Sequence, residues 1–283
     1  MTKTRNHYYL YIDDHGSRNP DHVISRRDDG MDCFAFGGIL VHESDIPLVV
    51  GAHKKFCRCW DIEYPLHSTD IRGMRGNFRW LQDGTKDALR FYDELNAFLT
   101  SVPVIGFAAV VSRPGYNARY KDKYGDLRWK LCKTAYHVLM ERVAKYVADQ
   151  GATFEVFFEQ SGKKEDRLIK QYARILKVDG QPFDAGTSAT YGPYAPDDFK
   201  AVMLGEPRER TKKDIFTQIA DVYLYPMVKR KYDPVYRAWV ALYESNRVID
   251  ALLDESSISL RGIKYSCFDE VLLDSINPEA SSG

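Results

Sequence analysis

Charge of one sign is missing from this sequence: 40 Lys and Arg stand against 40 Asp and Glu in 283 residues, for a net charge of zero. No global field draws in phosphate, so a polyanion site has to be a local patch. Long apolar runs are missing too. The longest, Val102–Val111, falls short of the ~18 residues of a membrane span and suits a buried strand. The opening MTKTRNHYYLY has no apolar core of a secretory signal. These absences predict a cytoplasmic protein with no membrane partner. Cysteine is sparse, odd in number and scattered (Cys33, Cys57, Cys59, Cys132, Cys267), which argues against a disulfide framework. His53 and Cys57 have usable helical spacing, but structural zinc wants four ligands and a second pair is not evident. No phosphate-binding glycine loop of either common type is present, so nucleotide-cofactor readings get no support.

What is present is ordinary globular material, 44% hydrophobic and 28% charged. Five strands are predicted, at Tyr8–Ile12, Phe34–Val41, Pro103–Val111, Phe154–Phe158 and Phe199–Leu204. Ser44 is a candidate cap for a helix over Asp45–Cys59, and a second helix is expected near Thr85–Leu99. Leu127, Leu131, Ala135, Val138, Val143 and Tyr146 keep helical spacing, as do Leu168, Tyr172, Ile175 and Leu176 after the fourth strand. Two further helices are expected at roughly 211–230 and 234–252. Two neighbouring strands followed by strand–helix alternation imply an α/β fold, with a mixed five-stranded sheet flanked by helices and extra C-terminal helices. No linker splits the chain. One domain over 1–283 is expected, with its core at about 8–265.

Three acids sit where acids are costly. Asp13 ends YYLYI, Glu159 ends FEVFF, and Asp221 interrupts the helical IFTQIADVYLY. An ionised carboxylate taken from water without a partner costs several kcal/mol. Taken singly, each reads first as the partner of an arginine or as a backbone cap. The combination says more. If strands one and four are neighbours, Asp13 and Glu159 converge at the sheet edge where α/β folds bind ligands. Clustered carboxylates stay ionised only beside a cation, and hard oxygen donors select Mg²⁺ or Mn²⁺.

At this point the sequence resembles a ribonuclease H-like family catalogued as domain of unknown function thirty-eight hundred. The first strand of that family ends in a D-E-S-G-like motif, and this chain reads YIDDHG. Its H-S-x-D motif appears as His67-Ser68-Thr69-Asp70, its E-x6-D pattern as Glu159 to Asp166, and its Q-x-A-D motif as Gln218, Ala220 and Asp221, with Tyr225 following. The resemblance implies a ribonuclease H-like fold and a metal-dependent nuclease, often thought to serve in bacterial or phage conflict. In the implied two-metal scheme, Asp13 bridges the ions and Glu159 and Asp221 hold them from the sides. Asp166 is a fourth ligand or simply a first-turn helix acid. His67 and Asp70 are a proton-transferring pair or a hydrogen-bonded turn. The chain departs from the motif at Asp14 and His15, and strand alternation sends Asp14 to the face opposite Asp13.

Two basic stretches are candidate nucleic-acid contacts. Arg113, Arg119, Tyr120 and Lys121 fall in a predicted loop that interleaves cations with aromatics, as single-strand binders do; a solvated loop is the competing reading. Lys163, Lys164 and Arg167 lie on the polar face of the helix after Glu159, which is either a solvent face or a phosphate track. The sequence therefore predicts a phosphodiesterase with nucleic acid as its partner, and leaves room for a regulatory protein. Two alternatives stay open: a binding module of the same fold without turnover, and a metal phosphohydrolase for small esters.

Overall fold

The computed structural model describes residues 6–22, 30–83, 86–125, 131–181 and 194–268. Its centre is a mixed six-stranded sheet in the order β5-β4-β1-β2-β3-β6. The strands are β1 His7–His15, β2 Cys33–His42, β3 Val104–Ser112, β4 Thr153–Glu159, β5 Arg208–Arg210 and β6 Lys264–Ser266. β1 and β3 each run antiparallel to β2, while β1–β4, β4–β5 and β3–β6 are parallel. The C-terminal ends of β1, β3, β4 and β5 thus share one edge.

The helices are α1 Ile46–Cys59, α2 Ser68–Arg72, α3 Lys86–Ser101, α4 Arg113–Tyr124, α5 Leu131–Asp149, α6 Lys163–Val178, α7 Pro196–Val202, α8 Ile215–Lys229, α9 Arg237–Glu244 and α10 Glu255–Arg261. β2 is buried along almost its whole length, as expected of a central strand covered on both faces. Phe36 and Phe107 meet Tyr136 and Tyr146 of α5, so α5 covers that face. The other face belongs to α8. There Tyr11 stacks on Phe216 with centroids 4.7 Å apart.

Glycines let α8 sit close. A Cβ at Gly37 would stand 2.7 Å from Leu224 Cδ1 and 2.6 Å from the Phe107 carbonyl oxygen, and one at Gly106 would stand 2.9 Å from Met227 Sδ. Asp214 starts α8 by accepting the Phe216 and Thr217 N–H groups at 3.0 and 3.1 Å, which satisfies donors a helix start otherwise leaves open.

Five predicted features are corrected. The sheet has six strands rather than five. Phe199–Leu204 is not a strand: Pro196–Val202 is a helix, with Pro in its first turn, Asp197 and Asp198 behind it, and the Ala195 N–H held by Asp198 at 2.9 Å. Met203 joins the sheet only as an isolated bridge to Phe154, next to the Leu204 N–H that donates to the Phe154 carbonyl oxygen at 2.8 Å. The fifth strand is instead the three-residue β5. The predicted loop after Arg113 is α4, capped by Ser112, whose Oγ accepts the Gly115 N–H at 3.3 Å. Ser44 caps nothing; His42 caps the 3-10 turn Glu43–Asp45, and α1 follows at Ile46. The segment at 234–252 is α9 and a separate 3-10 turn, Ile249–Leu252, rather than one helix. The start of the helix predicted from Leu127, residues 127–130, and residues 182–193 lie outside the described residues.

Candidate functional site

The site begins with strand alternation. Tyr11 faces α8, so Asp13 and His15, two and four residues on, face the same way. His15 meets Tyr225 of α8 edge-on at 5.8 Å. In β4, Phe157 stacks on Tyr11 at 4.9 Å, so Glu159 also points to the α8 side. The last paired residues of β1 and β4 are Ile12 and Phe158. One step beyond them, Asp13 and Glu159 stand side by side at the strand ends. Asp14 points away and pairs with Arg18 at 2.8 Å, as alternation predicted.

Asp221 comes from α8 and lies within hydrogen-bonding reach of Asp13. Both side chains are half-buried. Loss of solvent pushes the Asp13 carboxyl well above its ordinary range, and the negative charges of Asp221, Asp14 and Glu159 push it further. Burial also raises Asp221, against the pull of the Ser68 N–H, His67 and Arg72. Two carboxyls this close do not both ionise without a cation between them. Burial likewise raises Glu159, while Lys212, 3.4 Å away, draws it back down. Asp13 has no salt-bridge partner among the described residues.

One face of α8 organises the rest. Gln218 Oε1 accepts the Leu66 N–H at 3.0 Å and contacts His53 Nε2 at 3.1 Å. One turn on, Asp221 Oδ2 accepts the Ser68 N–H at 2.8 Å. These bonds pin the segment that carries His67 against the carboxylates, close enough for His67 to lower both Glu159 and Asp221. Asp70 holds His67 Nδ1 at 2.8 Å and is itself held by Arg75 at 3.0 Å, which keeps Asp70 below the usual carboxylate range. A carboxylate on Nδ1 orients an imidazole and leaves its Nε2 for chemistry. Next along, the Arg72 guanidinium lies 3.4 Å over the Tyr225 ring.

The predicted set therefore divides. Asp13, Glu159, Asp221, His67 and Asp70 come together. Asp166 is put to another use: buried, its Oδ1 accepts the Ser161 and Gly162 N–H groups at 3.1 and 3.3 Å, fixing the turn that follows Glu159. Arg113 is a correction. It is 3% exposed, with Nε on Asp32 at 2.7 Å and further bonds to the Ser17, Asn19 and Cys33 carbonyl oxygens, so it braces a loop and offers nothing to phosphate. Arg119 and Lys121 are exposed on α4, with Tyr120 packed against Tyr116, two strands across from Asp13. Lys163, Lys164 and Arg167 are exposed at the start of α6, just past Glu159.

Among the described residues, no group of three or more His, Cys, Asp or Glu side chains is set to hold a metal ion. The donor chemistry suits a hard divalent cation all the same, because the Asp13–Asp221 pair has more negative charge than its surroundings neutralise. Glu159 is the outlier, engaged by Lys212. His53 and Cys57, 3.7–3.8 Å apart, gather no further ligand, and His53 is spent on Gln218.

A protein of Sinorhizobium fredii described as uncharacterized protein y4pM is 32% identical over 249 residues, which cover 88% of this chain and 90% of that protein. The chain belongs to the y4pM family. No family model matches it, and no solved structure matches it.

Within this y4pM-family chain, Lys212 is the functional side chain that sequence reasoning placed least well. It falls in the basic stretch Arg208, Arg210, Lys212 and Lys213, which reads equally as a solvent face or a phosphate contact, whereas in the fold it pairs with Glu159. No local signal marks a pair 53 residues apart; only the parallel β4–β5 ladder, with Glu159 opposite Arg210, brings them together. Gln218 carries a similar lesson. Its motif was visible, but its work as a tether for Leu66 depends on where α8 lies.

Proposed function

We propose that the chain is a divalent-metal-dependent phosphodiesterase acting on nucleic acid, built on a ribonuclease H-like architecture. The supporting observation is the Asp13–Asp221 pair: two carboxyls 208 residues apart in sequence, adjacent in space, both raised by burial and Asp13 further by the Asp221 charge, with Glu159 beside them at the next strand end. Such an arrangement costs stability unless a cation or a proton balances it. A sheet with one antiparallel strand, β2, set between β1 and β3 and extended by parallel β4 and β5 agrees with the architecture that the sequence motifs imply.

Asp13 and Asp221 would hold the ion, which when bound polarises a phosphodiester oxygen and eases deprotonation of water. Asp70 fixes the tautomer of His67, whose Nε2 then accepts or delivers a proton at the reacting oxygen. Lys212 keeps Glu159 charge-balanced at the rim. Lys163, Lys164 and Arg167 receive the flanking phosphates as a local patch that offsets the zero net charge.

The test pairs Mn²⁺ titration followed by electron paramagnetic resonance with cleavage assays on single- and double-stranded DNA and RNA. The expected result is tight Mn²⁺ binding lost in Asp13→Asn and Asp221→Asn, and cleavage that needs the metal. Equal Mn²⁺ binding by wild type and both variants would overturn the proposal. A second reading, a nucleic-acid-binding module without turnover, is favoured by one observation: among the described residues no three acids stand together as ligands. Nucleic-acid binding with neither Mn²⁺ uptake nor cleavage would select it.

A further inference from the structure

Next to the carboxylates lies a cavity of about 310 Å³ that none of the site chemistry above uses. It opens between α2, α3, α8 and α9. It begins at Ser68, whose backbone N–H holds Asp221, so cavity and carboxylates share a wall. Its size is at the small end of the roughly 300–1,000 Å³ range of ligand pockets, and its make-up is theirs: mostly apolar, with a few polar groups. Leu95, Leu99 and Val222 supply aliphatic surface, and Tyr92, Tyr225 and Tyr236 supply aromatic surface.

The polar groups sort by whether they are already used. The Tyr92 hydroxyl donates to the Ile71 carbonyl oxygen at 3.0 Å, and Arg237 is paired with Asp93. Arg72 is stacked on Tyr225 and reaches Ser68 Oγ through Nε at 3.3 Å. The Asn96 side-chain amide makes no hydrogen bond among the described residues. One planar cation on an aromatic ring, an amide with both donor and acceptor, and aliphatic walls match the needs of a flat heteroaromatic ring with a polar edge. Proteins that hold a splayed or flipped base use just these elements, with stacking on aromatic or guanidinium planes and an edge read by hydrogen bonds. An aliphatic ligand would leave the Asn96 amide without a partner in the cavity.

We propose that this cavity receives one nucleobase of the substrate strand, next to the phosphodiester at Asp13 and Asp221. The inference rests on the phosphodiesterase reading and deepens it: the substrate has an unpaired or extruded base beside the cleavage point. Stacking is sequence-tolerant, and Asn96 supplies what base preference there is. Leu89, exposed at the rim, is the position from which the cavity can be closed without disturbing the core.

The test is a nuclear magnetic resonance titration of the full-length, methyl-labelled protein in EDTA. The four ribonucleoside 5′-monophosphates are the probes, and ribose 5-phosphate and cyclohexanol are controls. The expected result is that nucleotides shift the methyl signals of Leu95, Leu99 and Val222, while ribose 5-phosphate and cyclohexanol bind at least tenfold more weakly. Leu89→Trp is expected to weaken nucleotide binding at least tenfold with an unchanged circular dichroism spectrum. Asn96→Ala is expected to compress the ranking of the four bases. No methyl shift with any nucleotide, or equal binding of ribose 5-phosphate or cyclohexanol, overturns the inference. Because the titration contains no metal, its outcome is separate from the Mn²⁺ experiment. Mn²⁺ uptake with an empty cavity sinks the base pocket alone, and nucleotide binding without Mn²⁺ uptake sinks the phosphodiesterase alone.

Discussion

Asp13 shows the energetics of an enclosed carboxyl most directly. Its folded-state value is raised, so ionised Asp13 works against folding above the ordinary carboxyl range, and the penalty fades as pH falls and the group takes up a proton. Asp13→Asn keeps the shape and removes the charge. In EDTA at pH 8 the variant is expected to be more stable than wild type by about 1 kcal/mol or more, a rise in Tm of ~2–4 °C, and the gap is expected to close near pH 4. A variant that melts lower at pH 8 would show that the Asp13 charge is compensated. The ligand role proposed for Asp13 and Asp221 would follow the general trade of stability for function.

His137 behaves in the opposite sense. Fully enclosed on α5, with Nε2 3.3 Å from the Tyr172 carbonyl oxygen, it is pulled down to about 3 by burial and secondarily by Lys133. Folded His137 stays neutral while the unfolded chain takes up a proton below about 6.5, so this contribution is complete above that pH and is lost as pH falls toward 3. Urea titrations between pH 6 and 4 are expected to lose up to about 1.4 kcal/mol per pH unit through this one group. His137→Phe should flatten that part of the slope; an unchanged slope would assign it elsewhere.

Among elements, α8 is the one on which the site depends. Its N-terminus is capped by Asp214, its apolar face lies on β1, β2 and β3, and Gln218, Asp221 and Tyr225 look toward α2. The close approach at Gly37 sets its height over the sheet. Gly37→Ala is expected to cost ~1–3 kcal/mol, because the added methyl meets the Phe107 carbonyl oxygen and Leu224 together. It should also lift α8 from β1 and weaken Mn²⁺ binding, although Gly37 touches no ligand group. At Gly106→Ala the nearest atom, at 2.9 Å, is the flexible Met227 sulfur, with Val248 Cγ1 and the Arg247 carbonyl oxygen farther off at 3.2 and 3.3 Å, and the change should cost less. Urea denaturation of the two variants side by side decides it.

For the whole molecule, zero net charge makes electrostatic attraction to a polyanion a matter of local arrangement. Lys163, Lys164 and Arg167 are exposed beside Glu159, whereas Arg113 is buried in structural bonds. Replacing the three α6 cations by Gln should leave Tm unchanged and reduce the slope of log affinity against log salt by about 2–3 for nucleic acid. An unchanged slope would remove α6 from the interface. Arg113→Gln should do the reverse and lower Tm, because it strips a buried cation from Asp32 and three carbonyl oxygens.

Much of the site was legible in the chain itself. Two-residue alternation put Asp13 and Asp14 on opposite faces, and apolar runs marked β1–β4. Helical spacing drew α5 and α6, and the motif resemblance marked Gln218, Asp221 and Tyr225. These are local properties, set by backbone geometry and by the cost of leaving apolar or charged groups in the wrong medium. Some misses were local as well: Ser112 before Pro114 announces α4, and Pro196 before two acids announces α7. The rest was never local. That β4 lies beside β1, that Lys212 reaches Glu159, that Arg113 is enclosed and that three-residue β5 and β6 count as strands are consequences of pairing between distant segments. The sequence by itself determined which side chains are acidic, apolar or aromatic and which face of an element each takes. Only the tertiary structure decided which of those faces meet, because the free energy of a contact depends on the partner and on the solvent it displaces, and neither is written in the neighbouring residues.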